Sequence, residues 1–225
     1  MTVSEEKNTP TLAEELEALA ARSRASSSEE TKAVYRKSAE SVAASGILEQ
    51  ALRAGDAAPM FELPDAHGTI VRLADILEKG PAIVSFYRGS WCPFCNLELR
   101  ALQRELDAVD AAGATLVAIS PNKPDESLGL IAKHELTFPV LSDHENEVAK
   151  QFKLVFEMHP DLVAHYKAID RRIDEMNASD VWELPVPATY VIDRAGVIRY
   201  AYIELSHRVR AEPAEVIAAA ASLTN

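Results

Sequence analysis

The sequence has little sulfur to work with: of 225 residues only two are cysteine, Cys92 and Cys95, so no disulfide framework holds this chain together. Positive charge is short as well. The chain carries 23 Lys and Arg against 35 Asp and Glu, a net charge of -12, with no basic cluster set against it. That balance repels phosphate backbones and anionic lipid, so the expected partners include no nucleic acid and no membrane surface. No apolar run is long enough to span a bilayer, and the polar, acidic start MTVSEEKNTP lacks an apolar stretch behind a basic end. The expected location is cytoplasmic. In that reducing setting a close cysteine pair reads as a cycling redox couple rather than a structural staple. Internal repeats and low-complexity tracts are also missing.

What is present is enough apolar residue, 48%, for a substantial core: one full domain with room for an appendage. Both cysteines fall in one stretch, Ile83 to Leu106, IVSFYRGSWCPFCNLELRALQREL. Ile83 to Tyr87 suits a buried strand, while Leu99, Leu102, Leu106 and Val109 recur at helical spacing. The pair therefore sits where a strand hands over to a helix. Helix-start N–H groups have no intrahelical partner and carry positive partial charge, which favours a thiolate. Cys92 is better placed for that help, Arg88 stands four residues before it, and Cys95, one turn in, is expected to be the more buried. A structural zinc site would need two further ligands, and the histidines at 67, 134, 144, 159, 165 and 207 include no pair at the usual spacing. Two unrelated buried thiols are the plain alternative. A dithiol redox centre fits the strand-to-helix setting better.

Along the chain, residues 11 to 24 place Leu12, Leu16 and Leu19 on one helical stripe, and Ser27 with Glu30 forms a capping-box pattern opening a second helix through Val34, Ser38 and Val42. Residues 1–52 thus read as a helical N-terminal extension, packed on the domain or on a second subunit. From Ala57 short strands and turns take over: a hairpin from Met60 to Leu73 around Asp65-Ala66-His67-Gly68, a short helix from Asp75, and the Ile83 strand. Strand and helix then alternate: a strand at Ala114 to Ile119, a helix at Asp125 to His134, a strand at Phe138 to Leu141, and a helix capped by Ser142 or Asp143. This implies a mainly parallel sheet covered on both faces. Thr189 to Tyr202 reads as a closing hairpin, followed by a helix opened by Pro213. The stretch from Lys153 to Glu183, with Phe156, Met158, His159, Tyr166 and Trp182 among charged residues, reads as a helical insertion serving packing or dimer contacts, with a substrate-facing flap as the alternative.

The order of elements resembles the thioredoxin fold in its peroxiredoxin version. Phe86-Tyr87-Arg88-Gly89-Ser90-Trp91-Cys92-Pro93-Phe94-Cys95 is similar to that superfamily's active-site segment, and Val186-Pro187-Ala188-Thr189-Tyr190-Val191-Ile192-Asp193 to its cis-proline segment. From Arg53 onward the match is closest to the alkyl hydroperoxide reductase and thiol-specific antioxidant family. The resemblance implies an α/β fold in residues 53–225, with a central mixed sheet and helices on both faces, and a thiol peroxidase in which Cys92 attacks a hydroperoxide and Cys95 resolves it. It further implies a thioredoxin-type protein or glutathione as reductant, no metal or organic cofactor, and a cis bond before Pro187 facing the cysteines. Arg88 and Ser90, with Trp91 and Pro187, are the candidates for substrate binding or activation, and a homodimer is one way to cover the extension and the insertion. The departures are specific. Peroxiredoxins commonly have P-x-x-x-[ST]-x-x-C, and those first two positions here are Ser85 and Gly89. Where the family's distant Arg would be expected stands Pro187, and where thioredoxins carry a buried acid stands Phe86. A thiol-disulfide oxidoreductase and a non-catalytic redox sensor or binding protein are the rival readings.

Overall fold

The computed structural model describes residues 10–224; the acidic start, residues 1–9, and residue 225 lie outside it. Helix α1 (Leu12–Ser26) opens at Thr11, whose hydroxyl accepts from the Glu14 N–H while the Glu14 carboxylate accepts from the Thr11 N–H. The reciprocal box thus belongs to the first helix. Helix α2 (Glu29–Ala43) is capped by Ser28, not by the expected Ser27 and Glu30: Ser28 has the extended backbone that aims its hydroxyl at the Thr31 N–H, and Ser27 turns back to the Ser23 carbonyl. A short α3 (Ile47–Gln50) leads to the antiparallel hairpin of β1 (Glu62–Pro64) and β2 (Ile70–Arg72), where the Asp65 carboxylate accepts from the His67 and Thr69 N–H groups.

The domain continues with α4 (Leu73–Lys79), β3 (Ala82–Phe86), α5 (Pro93–Arg104), α6 (Leu106–Ala111), β4 (Thr115–Ser120), α7 (Pro124–His134) and β5 (Val140–Ser142). After a 3-10 turn at His144–Asn146 come α8 (Glu147–Gln151), β6 (Val155–Glu157), α9 (Pro160–Ala168), α10 (Ile173–Asn177) and β7 (Glu183–Pro185). The chain closes with β8 (Ala188–Ile192), β9 (Ile198–Ile203) and α11 (Pro213–Ala221). The single helical stripe read through Val109 is broken at Glu105, which leaves helical geometry; α6 restarts there with Val109 still buried. Neither Ser142 nor Asp143 is the N-cap of α8, which is Asn146, because the 3-10 turn intervenes; the Asp143 carboxylate reaches across it and accepts from the Val148 and Ala149 N–H groups at 2.9 Å each.

The central sheet runs β5-β4-β3-β8-β9; β3, β4 and β5 are parallel, and β8 and β9 antiparallel. It is the mixed sheet expected. Strand residues alternate between faces, so Val84, Phe86, Val117, Ile119 and Tyr190 enter one core, while Ile83, Leu116, Ala118 and Val191 enter another beneath α5 and α11. Both faces are covered, and every β3 residue is buried.

The N-terminal helices pack on this domain. Leu12, Leu16 and Ala20 of α1 enter the α5 core, and burying each leucine stabilises the contact by roughly 1.5–3 kcal/mol. Glu212 ties the start of α1 to the C-terminal segment, accepting from the Leu12 and Ala13 N–H groups at 3.3 and 2.7 Å. Its charge sits where the helix dipole favours an anion. Helix α2 packs on α9 of the Lys153 to Glu183 segment. That segment is more than helical: β6 and β7 pair antiparallel as its stem, and Met158, Leu162, Tyr166, Ile173 and Leu184 give it a core of its own.

Candidate functional site

Strand β3 delivers the chain to the site. The Tyr87 N–H still donates to the Ile119 carbonyl, after which Arg88 to Trp91 turn, with the Cys92 N–H closing on the Gly89 carbonyl at 3.1 Å. Cys92 is the N-cap of α5, Pro93 takes the first helical position, and the Asn96 N–H donates to the Cys92 carbonyl. Both thiols are buried, in the order expected but with almost nothing between them: Cys92 is 1% exposed and Cys95 0%. Trp91 packs against the cluster that holds them both.

The two thiols are driven apart in acidity. Hydrogen bonding from Cys95 pulls Cys92 down to about 5, against burial and with help from the Arg88 and Arg210 charges. Burial pushes Cys95 well above the usual thiol range, and its hydrogen bond to Cys92 adds to that. At neutral pH the pair is therefore one thiolate, on Cys92, and one thiol.

Beneath Cys95 lies a network that the sequence reading missed. The Arg210 guanidinium donates to Cys95 Sγ at 3.2 Å and through Nε to Glu98 Oε2. Its Nη1 donates to the His207 and Val209 carbonyls. Glu98 also accepts from the Ser85 and Thr189 hydroxyls at 3.4 and 3.5 Å. Burial works against the Arg210 charge, but the Glu98 carboxylate and the thiols outweigh it and raise its pKa; burial raises Glu98, with Arg210 offsetting part. Pro187 occupies the strand position where the family's distant Arg would be expected, yet an arginine does stand at the dithiol, reaching it from the segment before α11. Glu98 had a signal: it shares the buried stripe of α5 with Cys95, Leu99 and Leu102, where a charge needs a partner. Arg210, in a charged loop, had none.

On the other side stands Arg88. It is 4% exposed, its Nε has no hydrogen-bond partner, and it forms no ion pair among the described residues. Burial disfavours its charge, but Tyr166 and the two cysteines more than compensate, raising its pKa. Its guanidinium lies 4.9 Å from the Trp91 ring centroid, with Arg171 at 5.8 Å and the Tyr166 ring at 5.8 Å. Trp91 thereby joins the helical segment to the dithiol. Gly89 explains the absent family hydroxyl: its φ is +136°, and a Cβ there would meet Trp91 Nε1 at 2.5 Å and Asn122 Oδ1 at 2.9 Å. Asn122 fills that place, accepting from the Ser90 N–H at 2.7 Å and donating to Asn177 Oδ1 at 2.8 Å. The Ser90 carbonyl accepts from Asn96 Nδ2.

Pro187 lines a cavity of about 580 Å³ together with Arg88 and His207. No peptide bond among the described residues is cis, so the expected cis Val186-Pro187 bond is trans. Trans is the ordinary preference of X-Pro by about 0.5–1 kcal/mol, and the extended Val186, whose N–H donates to the Leu154 carbonyl at 2.8 Å, carries the β6–β7 pairing onward.

A family model, the AhpC/TSA family, matches residues 54–201. The chain belongs to this family. Among curated relatives, peroxiredoxin Bcp of Escherichia coli K12 is 36% identical over 45% of this chain and 64% of its own length. A putative peroxiredoxin of Mycobacterium tuberculosis H37Rv is 40% identical over 43% of this chain and 61% of its own. The chain thus spans less than two thirds of the length of these curated relatives. Among solved structures, Peroxidoxin BcpB of Mycobacterium tuberculosis superposes with a TM-score of 0.60 at 21% identity, covering 76% of this chain and 98% of that one. At that identity the likeness establishes the fold, a peroxiredoxin-like thioredoxin fold. Helices α1 to α3 precede the matched AhpC/TSA region.

Proposed function

We propose that the protein is a thiol-dependent hydroperoxidase cycling between a Cys92/Cys95 dithiol and its disulfide. The observation that carries this reading is the Cys92 thiolate at the start of α5, between the fixed charges of Arg88 and Arg210 and beside a protonated Cys95. The thiolate attacks the terminal oxygen of a hydroperoxide; the O–O bond breaks, the alkoxide takes a proton from solvent and leaves as an alcohol, and Cys92 becomes a sulfenic acid. Cys95 then condenses with it, releasing water and forming the disulfide. Two electrons from an external thiol, a thioredoxin-type protein or glutathione, restore the dithiol. Charge developing along the O–O bond needs donors held in place before reaction. Arg88 supplies them through a guanidinium with no carboxylate to satisfy, supported by Trp91, while the Ser90 backbone, pinned by Asn122 and Asn96, holds the loop.

Cys92→Ser abolishes turnover, and Cys95→Ser leaves one reactive thiol that accumulates a sulfenic acid. Stopped-flow mixing of the reduced protein with hydrogen peroxide and an organic hydroperoxide is the test. A rate no faster than that of a free thiol, alongside efficient reduction of a model disulfide, would assign the oxidoreductase reading instead.

A further inference from the structure

We infer that the N-terminal helices complete a binding site for a small organic carboxylate with an apolar body, seated beside the dithiol. The cavity of about 580 Å³ falls in the size range of small-molecule sites, roughly 300–1,000 Å³. Its charge is opposite to that of the molecule. Arg24, Lys32, Arg36, Arg88 and Arg208 line it, and among the described residues not one carboxylate does, in a chain whose net charge is -12. Arg24 and Lys32 pair with Glu17 and Glu29, neither of which lines the cavity; Arg36, Arg88 and Arg208 form no ion pair among the described residues. Guanidiniums that face one space without an ion-pair partner repel each other, and an anion entering that space relieves the repulsion. Guanidinium is also the group whose planar fork takes a carboxylate through two N–H bonds.

Between the cations the walls are apolar: Val42 of α2, Phe156 of β6, Leu162 of α9, Pro187 and Leu205. His207 lies among these charges, and burial followed by the Arg88, Arg208 and Arg210 charges holds it well below its usual pKa, so it is neutral and adds no cation of its own. The family match begins at residue 54, so the wall that brings Arg24, Lys32 and Arg36 is supplied by the part of the chain outside it. Arg88 belongs to both places, cavity wall and thiolate neighbour. Neither cysteine lines the cavity, and Arg88 is what joins the two, so a molecule held here lies against the charged neighbour of the thiolate. It is either a carboxylated hydroperoxide or a carboxylated reducing thiol, a choice that rests on the peroxidase reading, whereas the binding does not.

The test reads binding without turnover. Full-length Cys92→Ser protein is titrated calorimetrically with decanoate, with S-methylglutathione, and with decanamide as the uncharged control. Saturable binding of either carboxylate below about 1 mM, at least tenfold tighter than decanamide and weakened about tenfold in Arg36→Glu/Arg208→Glu, is expected, a tenfold change being about 1.4 kcal/mol. Tighter decanoate binding marks the hydroperoxide as the source, and tighter S-methylglutathione binding the reductant. A salt series on the unaltered cavity guards against a misfolded variant: raising salt weakens the carboxylates and leaves decanamide unchanged. No saturable carboxylate binding below 1 mM, equal binding of decanamide, or insensitivity to both salt and charge reversal overturns the inference. Failure of the peroxidase reading appears only as absent peroxide consumption in the wild-type protein and leaves these titrations untouched.

Discussion

Two guanidiniums flank one dithiol, and their surroundings differ. Arg210 is fully engaged: its partners are Glu98, two carbonyls and the Cys95 sulfur. Arg88 is as deeply buried but has no carboxylate beside it, and one face of its environment is the cavity. A buried charge whose counter-charge is fixed beside it is committed to holding the structure. A buried charge left without one is available for charge that arrives, as a thiolate, a breaking O–O bond or a ligand anion.

The sharpest way to break this contrast is to remove each guanidinium in turn. Arg210→Met strands the Glu98 carboxylate in the core and should cost about 3–5 kcal/mol in denaturant unfolding, with Glu98→Leu/Arg210→Met recovering most of it. Equal stability of Arg210→Met and wild type would mean the pair is not structural. Arg88→Met strands no carboxylate, so its loss should appear in rate instead: reduced protein reacts with hydroperoxide ~10 to 1,000-fold more slowly, the upper figure being typical for one lost transition-state donor. Reduction of a model disulfide should suffer less. Equal losses on both substrates would show that Arg88 acts only through the acidity of Cys92.

Restoring the family hydroxyl sharpens the comparison from the loop between them. Gly89→Ser forces a side chain into a φ of +136° and onto Trp91 and Asn122, and should destabilise by about 1–3 kcal/mol rather than improve catalysis. A faster, stable Gly89→Ser protein would refute that account.

The smallest effect is in pH. With Cys92 near 5, alkylation of the reduced Cys95→Ser protein tests the remaining charges: loss of the Cys95 hydrogen bond raises the midpoint, and Arg88→Met raises it by about one further unit. In the wild-type protein the rate should climb through pH 5 and be flat by 7. Because folding lowers this pKa, the stability that the thiolate contributes is complete above the unfolded thiol's pKa and is lost as pH falls through 5. A single alkylation midpoint near 8.5, the ordinary value, would remove the thiolate from the site.

Local chemistry made much of this legible in the sequence. Alternating strand and helix patterns located the sheet, the run of Ile83 to Tyr87 before Cys92-Pro93-Phe94-Cys95 placed the thiols at a helix start, and Arg88 stood close enough along the chain to be noticed. Each of these depends on neighbours within a turn or two, which is the range over which periodicity and capping act. Other features depended on residues that meet only after folding. Arg210 lies 115 positions from Cys95, and Asn122 is 32 from Ser90. The fit of Gly89 against Trp91 and the closing of the cavity by α2 are likewise contacts across the chain. Even Ser85, read as a lost proline, acquires its role as a Glu98 partner only in the folded core. Sequence order determined the strand, the helix, the nucleophile and its near partners Cys95 and Arg88; the Arg210–Glu98 network beneath the thiols came from distant residues, because a buried charge is governed by what packs within a few ångströms of it, wherever that lies along the chain.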